Sequence, residues 1–381
     1  MLFSRRNFLR AFGVSVAAGA VSQAPLAAAL PFPLESTRTR KPGGPIRLNS
    51  NENAYGPSPK VLATMRDALS MVNRYPYKEY DRLLDQIAAL HKVTRNQILL
   101  GCGSSEILRV CAAAFLGPGK KLVQASPTFE LLGEHAEAQG AEVVGVRLNP
   151  EFAHDLPQML ARSDDSTGLV YICNPNNPTG SVTSRKNIEA FLKKLPEQTR
   201  VIIDEAYYHY ADDTVRAASF LDRPMKDDRI IVCRTFSKVF GLAGLRVGYG
   251  IATPEVIAKL RPFITSGSVN EIAALAAVSA LRDNESVLEF ARRNDDDRQE
   301  FFNQAQGRML KPISSQTNFF MMNVHQPADA VINHFEKHGV LIGRHFPPLD
   351  TYIRVSLAKP EEMIEFWRVW DQLPKTGKMD M

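Results

Sequence analysis

The sequence predicts an α/β fold: a mostly parallel sheet covered by helices on both faces, followed by a smaller α+β domain. Two observations carry this prediction. Apolar, β-branched runs at residues 121–125, 142–146, 169–173, 201–204 and 230–233 alternate with helical segments such as 129–139 and 184–195, which calls for right-handed crossovers between parallel strands. Beyond about residue 265 the pattern changes to long helical stretches, 271–282 and 285–306, followed by short strands around 318–323, 340–343 and 352–356. Ligands of open α/β sheets bind beyond the carboxyl ends of the strands, and Gly103, Asn177, Asp204 and Lys238 fall at such ends here.

Taken in order, the chain opens on Ser4-Arg5-Arg6-Asn7-Phe8-Leu9-Arg10, then a mildly apolar stretch and Ala27-Ala28-Ala29. A charged start, a short apolar region and small residues at a cleavage position predict a secretory signal over residues 1–29. The paired arginines point to twin-arginine export, to the periplasm or otherwise out of the cytoplasm. Gly13, Gly19, Ser22, Gln23 and Pro25 make this stretch a poor membrane span, and an amphipathic arm is the alternative reading. Residues 30–45 are rich in Pro and Gly and read as an extended arm. Pro57-Ser58-Pro59 opens a helix through residue 72, since proline is tolerated in a first turn. Leu83, Leu84, Ile87, Ala88 and Leu90 repeat at helical spacing over residues 80–93. A short strand at 98–100 runs into Gly101-Cys102-Gly103-Ser104-Ser105 and a further helix. The expected division is a signal over 1–29, an arm and small-domain segment over 30–55, a large domain over 56–265 and a small C-terminal domain over 266–381.

Composition narrows the function classes. The 381 residues are 44% hydrophobic and 23% charged, enough for a large core. The formal charge is +5, but Arg5, Arg6 and Arg10 supply three of those charges, so the remainder carries only +2 and no basic stripe suited to nucleic acid. Cys102, Cys111, Cys173 and Cys233 show neither disulfide-scaffold nor metal-ligand spacing and read as buried thiols, with no metal site.

The chemistry concentrates in Thr235-Phe236-Ser237-Lys238-Val239-Phe240-Gly241-Leu242-Ala243-Gly244-Leu245-Arg246, between two apolar strands. The amine of Lys238 is useful only as an imine-forming nucleophile or a general base, and either role requires a partly desolvated pocket that lowers its pKa. The hydroxyls of Thr235 and Ser237 and the guanidinium of Arg246 can surround one dianionic phosphate. Gly103-Ser104-Ser105 adds backbone N–H groups, hydroxyls and a helix dipole, completing a three-sided cradle. A phosphorylated aldehyde bound as a Schiff base wants this arrangement. Asp204 ends an apolar strand, where burial is costly without a cationic partner; a carboxylate capping the following turn is the rival reading. Arg354, within Tyr352-Ile353-Arg354-Val355-Ser356, either snorkels or grips a planar anion with its fork.

Seven motifs run in order: Leu48-Asn49-Ser50-Asn51-Glu52-Asn53, Arg74-Tyr75-Pro76, Gly103-Ser104-Ser105-Glu106, Asn174-Pro175-Asn176-Asn177-Pro178-Thr179-Gly180, Asp204-Glu205-Ala206-Tyr207, the Lys238 segment and Ile353-Arg354-Val355. Through them the chain resembles the fold-type I, class I/II aminotransferases that use pyridoxal 5′-phosphate (PLP), in the branch like histidinol-phosphate aminotransferase, over nearly everything after about residue 40. The resemblance implies a large domain with a seven-stranded sheet and an enzyme that moves an amino group from an L-amino acid to a 2-oxo acid through a Lys238 Schiff base. It implies that Asp204 pairs with the protonated ring nitrogen, that Asn177 and Tyr207 bond the phenolic oxygen, and that Phe129 stacks on the ring. Gly103, Ser104, Ser105, Ser237 and Arg246 grip the phosphate, joined by Tyr75 from the neighbouring subunit of a homodimer with shared sites. Arg354 takes the substrate α-carboxylate, and Asn51 belongs to the substrate site. In that branch an arginine located as Arg344 meets a substrate phosphate. The export signal argues against that cytosolic substrate, and Phe346-Pro347-Pro348-Leu349 could line a pocket for an apolar or aromatic side chain. An amino acid is therefore the expected substrate, with Arg344 reading a second anionic group. Decarboxylation, as in the related threonine-phosphate decarboxylases, oxidation on the same fold, and histidinol-phosphate transamination proper stay open. A non-catalytic PLP-binding module does not need both an electron sink and a carboxylate clamp.

Overall fold

The structure is a computed structural model that describes residues 44–216, 219–221 and 227–374. The signal expected over residues 1–29 and nearly all of the arm after it lie outside these residues. The described chain begins with β1 (Ile46–Leu48) and then builds one sheet from β2 (Ile98–Gly101), β3 (Lys121–Ser126), β4 (Glu142–Arg147), β5 (Thr167–Cys173), β6 (Arg200–Asp204), β7 (Ile230–Thr235) and β8 (Gly248–Ile251). The spatial order of these seven strands is β2-β8-β7-β6-β5-β3-β4. Strands β3 to β7 pair in parallel, while β8 runs antiparallel to both of its neighbours, β2 and β7. Because β8 reverses twice, β2 points the same way as β5, β6 and β7. The carboxyl ends of all four therefore open on one edge.

The helices between and after these strands are α1 (Pro59–Ala68), α2 (Tyr77–His91), α3 (Ser104–Phe115), α4 (Leu131–Ala138), α5 (Leu156–Ala161), α6 (Arg185–Leu192), α7 (Asp213–Arg216), α8 (Pro254–Leu260) and α9 (Glu271–Leu281). All seven residues of β5 are buried, as a parallel strand covered on both faces must be. On one face Leu169, Tyr171, Cys173, Ile202, Ile231 and Cys233 pack against α3, α4 and α8; on the other Val170, Ile172, Val201, Ile203 and Val232 pack against α1, α2, α6 and α9. Local chemistry sets the helix starts. Ser58 accepts from Val61 N ahead of Pro59, and Asn270 accepts from Ala273 N. The first helix ends at Ala68 rather than residue 72, passing into a 3₁₀ turn at Leu69–Met71. Helix α4 starts two residues later than its apolar pattern suggests. Thr128 Oγ1 donates to Asn176 Oδ1 at 2.8 Å and ties this loop to the turn after β5, which leaves Phe129 free of the helix.

The second, smaller core lies around α10 (Asn284–Gly307), β9 (Phe319–Asn323), α11 (Ala328–Lys337), β10 (Val340–Ile342), β11 (Tyr352–Ser356) and α12 (Pro360–Trp370). Strand β1 pairs in parallel with β10, and β9 pairs antiparallel with β11. Stacked rings fill the interior: Phe301 and Phe320 lie 4.6 Å apart, Phe335 and Phe366 4.9 Å apart. The β1–β10 pairing carries residues 49–53 back to the open edge of the large sheet. The fold is thus the α/β architecture expected, with a mostly parallel seven-stranded sheet and a smaller α+β part. All four cysteines are free thiols; Cys111, Cys173 and Cys233 are buried, whereas Cys102 is only partly so because it lies in the loop before α3. Among the described residues no helix is long and apolar enough to cross a membrane.

Gly248 connects this architecture to the cradle. A Cβ placed there would fall 2.3 Å from Ser104 N and 2.7 Å from Gly103 C, backbone atoms that cannot swing aside. Gly248→Ala is expected to lower unfolding free energy by about 1–3 kcal/mol, as overpacking of a filled site does, measured by urea denaturation against the parent protein.

Candidate active site

The site is a cavity of about 380 Å³ at the shared carboxyl edge of the sheet. Its phosphate-sized end is built by three segments. Arg246 leaves its 3₁₀ turn with φ of 56°, which turns its guanidinium back toward α3. There Nη1 donates to Ser237 Oγ at 3.1 Å and Nη2 to Ser105 Oγ at 3.3 Å. Gly103, with φ of 72°, has no side chain for a reason: a Cβ would sit 2.2 Å from Arg246 Nη2. Ser104 and Ser105 open α3, so the first N–H groups of a twelve-residue helix point into the same place. Thr235 Oγ1 donates to Ser237 Oγ at 3.0 Å and fixes the third wall.

At the centre stands Lys238, three residues beyond the end of β7 at Thr235. Its Nζ donates to the carbonyls of Ser50 at 3.3 Å and Asn51 at 3.2 Å, and lies 5.4 Å from the centre of the Tyr207 ring. Burial lowers its pKa to about 8, reinforced by the Arg354 and Arg246 cations and opposed by Glu52 and Asp204. Asp204 closes β6 and is 3% exposed. Its Oδ1 accepts from Ala206 N at 3.1 Å and its Oδ2 from the Tyr171 hydroxyl at 2.9 Å. Burial raises this carboxyl to about 6, while the Tyr171 and Ala206 hydrogen bonds pull it back down. Tyr207, pushed above the usual phenol range by burial, accepts from Asn51 Nδ2 at 2.9 Å.

The far end belongs to Arg354 of β11, which is 7% exposed. Nη1 donates to Asn177 Oδ1 at 2.6 Å and Nη2 to Asn49 O at 2.7 Å, whereas its buried Nε has no hydrogen-bond partner among the described residues. Burial lowers its pKa to about 10. The guanidinium rests on Phe346 at 4.7 Å, and Arg344 rests on that ring at 4.1 Å. A second cavity, of about 540 Å³, continues outward from Phe129, Asn177 and Arg354 to Arg344, Glu130, Glu336 and Ile332.

Of the residues singled out in the sequence, Ser104, Ser105, Phe129, Asn177, Asp204, Tyr207, Ser237, Lys238, Arg246, Arg354 and Asn51 line the inner cavity together. Gly103 backs it. Arg344 stands in the outer cavity, paired with Glu130 and donating to the His345 carbonyl. Tyr75 is not in the lining: it is 78% exposed and stacked on Tyr77. Asn51 has φ of 52°, and its side chain is engaged by Tyr207 and Ser356, so within this chain it fixes neighbours. His345 bonds Asp350 at 2.8 Å. Sequence reasoning missed Glu130, Tyr171 and the three carbonyls of residues 49–51. Strand parity could have found Tyr171, which shares a face with Cys173; nothing local marks the others.

The sequence pattern of the aminotransferases of class I and II matches residues 44–366. The chain belongs to that family. The histidinol-phosphate aminotransferase of Methylobacillus flagellatus is 38% identical over 338 residues, 88% of this chain and 90% of its own. That of Bacillus subtilis is 33% identical over 323 residues, 83% and 88%. The crystal structure of histidinol-phosphate aminotransferase from Sinorhizobium meliloti in complex with pyridoxal 5′-phosphate superposes with a TM-score of 0.81 at 27% identity, covering 86% of this chain and 92% of that one. The aminotransferase therefore uses PLP, and it moves amino groups between amino acids and 2-oxo acids.

The residues present fit that cofactor. A cradle that a Cβ at Gly103 would fill, a lysine whose pKa burial lowers to about 8, and a buried acid facing the same cavity are what its phosphate, aldehyde and ring nitrogen require. The same relatives correct the expectation of export. They are histidinol-phosphate aminotransferases, and nothing in them supports a twin-arginine signal or a periplasmic place for the aminotransferase.

The neutral form of Lys238 is the one that attacks an aldehyde, and it is the form present above the lowered pKa. PLP uptake by the cofactor-free aminotransferase should therefore accelerate as pH rises through about 8. Stopped-flow absorbance measures this, and a rate flat across that range would contradict it.

Proposed function

We propose that this aminotransferase takes an L-amino acid as donor, with the residues gathered in the cavity in the following roles. Ser105, Ser237, Arg246 and the backbone N–H groups of Gly103 and Ser104 at the start of α3 hold the phosphate of PLP. Asp204 holds a proton at the ring nitrogen. Asn177 and Tyr207 bond the phenolic oxygen, and Phe129 covers the ring. When bound, PLP supplies a covalent carrier for the amino group and an electron sink for the bond broken at the substrate α-carbon. Lys238 removes the proton from that carbon and returns it elsewhere along the reaction, which its lowered pKa suits at ordinary pH. Arg354 binds the α-carboxylate and Asn51 orients Tyr207 beside it. The observation that carries the reading is the placing of one lysine amine in a single cavity between the Arg246 cradle and the half-open fork of Arg354.

In the same proposal a large domain spans 56–265, and the described part of the 30–55 segment joins 266–374 in a small one. The functional unit is a homodimer in which Tyr75 completes the phosphate site of the partner subunit; the exposure of Tyr75 and Tyr77 beside Leu69 and Val72 supports a covered face. Light scattering should give twice the mass of one chain.

A second reading takes histidinol phosphate, the substrate in the names of the relatives. The observation favouring it is Arg344 at the mouth of the outer cavity, across Phe346 from Arg354. Single-turnover absorbance with a panel of L-amino acids and with histidinol phosphate, each reversed by a 2-oxo acid, separates the two. A response to amino acids at the higher kcat/KM supports the first reading, and a preference for histidinol phosphate replaces it with the second. Lys238→Ala should lower kcat by at least about 100- to 10,000-fold, the span of a general acid–base contribution. Arg354→Lys breaks the two-pronged grip, at about 1.5–3 kcal/mol for a charged hydrogen bond. It should lower kcat/KM for amino acids by roughly one to two orders of magnitude.

A further inference from the structure

Tyr171 lies in β5 two residues before Cys173, on the sheet face that carries Asp204 at the end of β6. The register opposes Cys173 to Asp204, so Tyr171 reaches the carboxylate diagonally from below. Its hydroxyl donates to Asp204 Oδ2 at 2.9 Å, and both residues are buried. The ring packs among Leu169, Ile202 and Ile231, where phenylalanine would fit as well. Burying a hydroxyl in such a place costs about 1–3 kcal/mol if it is left without a partner. The hydroxyl is therefore explained by what it does to Asp204.

We propose that Tyr171 is a positioning residue of the amino-transfer reaction: by donating to Oδ2 it keeps the Asp204 carboxylate anionic and fixed, so that Asp204 can hold a proton on the ring nitrogen of PLP. This rests on the reading of Asp204 given above. The titratable groups facing Asp204 are Tyr171 and Cys173 from β5, Cys233 from β7, Glu205 and Tyr207 from its own strand and turn, and Lys238 beyond β7. Burial pushes both thiols and both phenols upward, so these four stay neutral through the range that matters. Burial also raises Asp204 to about 6; the Tyr171 hydrogen bond is the strongest of the influences lowering it, ahead of Ala206 N–H and Lys238, while Glu205 raises it. Without the hydroxyl the carboxyl protonates at a higher pH. A neutral acid has no charge to set against a protonated ring nitrogen, so the affinity that depends on the carboxylate is present above its pKa and lost as pH falls through it.

The test is the dissociation constant of PLP from cofactor-stripped protein, read by visible absorbance between about pH 5 and pH 8. Affinity of the parent should hold level down to about pH 6 and weaken below. In Tyr171→Phe the decline should begin about one pH unit higher, with binding about tenfold weaker near pH 5 and less than about twofold weaker at pH 7; 3-fluorotyrosine at position 171, a stronger donor of the same shape, should move the decline the other way. In an Asp204→Asn background the Tyr171→Phe change should leave the profile unaltered. Circular dichroism and thermal melting check folding of each variant. An unchanged pH profile in folded Tyr171→Phe or with 3-fluorotyrosine, or an equal shift in the Asn background, overturns the proposal. A parent protein that takes up no PLP at any pH overturns instead the reading on which it rests.

Discussion

The molecule depends on keeping ionisable groups partly dry at one edge of a sheet. Lys238, Asp204 and Arg354 all face the same cavity, and burial moves each toward its neutral form: the lysine to about 8, the arginine to about 10 and the carboxyl to about 6. Withdrawing an ion from water costs several kcal/mol even after relaxation, against a net stability of about 5–15 kcal/mol for a whole domain. Such a cost is tolerable only where the surroundings are rigid and where a ligand later supplies the missing partners. The half-satisfied fork of Arg354 and the lysine amine propped on two carbonyls are that state.

Topology explains why the groups meet. Strand β8 reverses direction twice, so β2, β5, β6 and β7 end on the same edge and deliver the Gly/Ser turn, Asn177, Asp204 and Lys238 to one cavity. The smaller core contributes from the other side. Pairing of β1 with β10 brings the carbonyls of residues 49–51 over the amine, and pairing of β9 with β11 fixes Arg354 between Phe319 and Phe346. Cradle, amine and fork are thus set by different elements, and close packing at Gly103 and Gly248 holds the first of them in register.

Much of this was legible in the sequence because the decisive chemistry is local. Strand ends followed by Gly-Ser-Ser, by Asn177, by Asp204 and by Lys238 are read along the chain, and alternating strands and helices place them on one edge. What escaped depends on register and long-range packing. The Tyr171–Asp204 bond needs the pairing of β5 with β6; the bond from Asn51 to Tyr207 spans 156 positions; and the pairing of Glu130 with Arg344 follows from where two loops happen to meet. Carbonyl acceptors carry no residue signature at all. The N-terminal pattern misled for the opposite reason: paired arginines before an apolar stretch are a compositional signal, and the relatives, histidinol-phosphate aminotransferases, outweigh it.

In the proposed function one amine, poised by burial between a phosphate cradle and an arginine fork, carries the cofactor. Borohydride reduction of the PLP-loaded protein followed by peptide mapping by mass spectrometry addresses it directly. The pyridoxyl group is predicted on the peptide that contains Lys238, in one copy per chain. A label on another lysine, or none, would contradict the account.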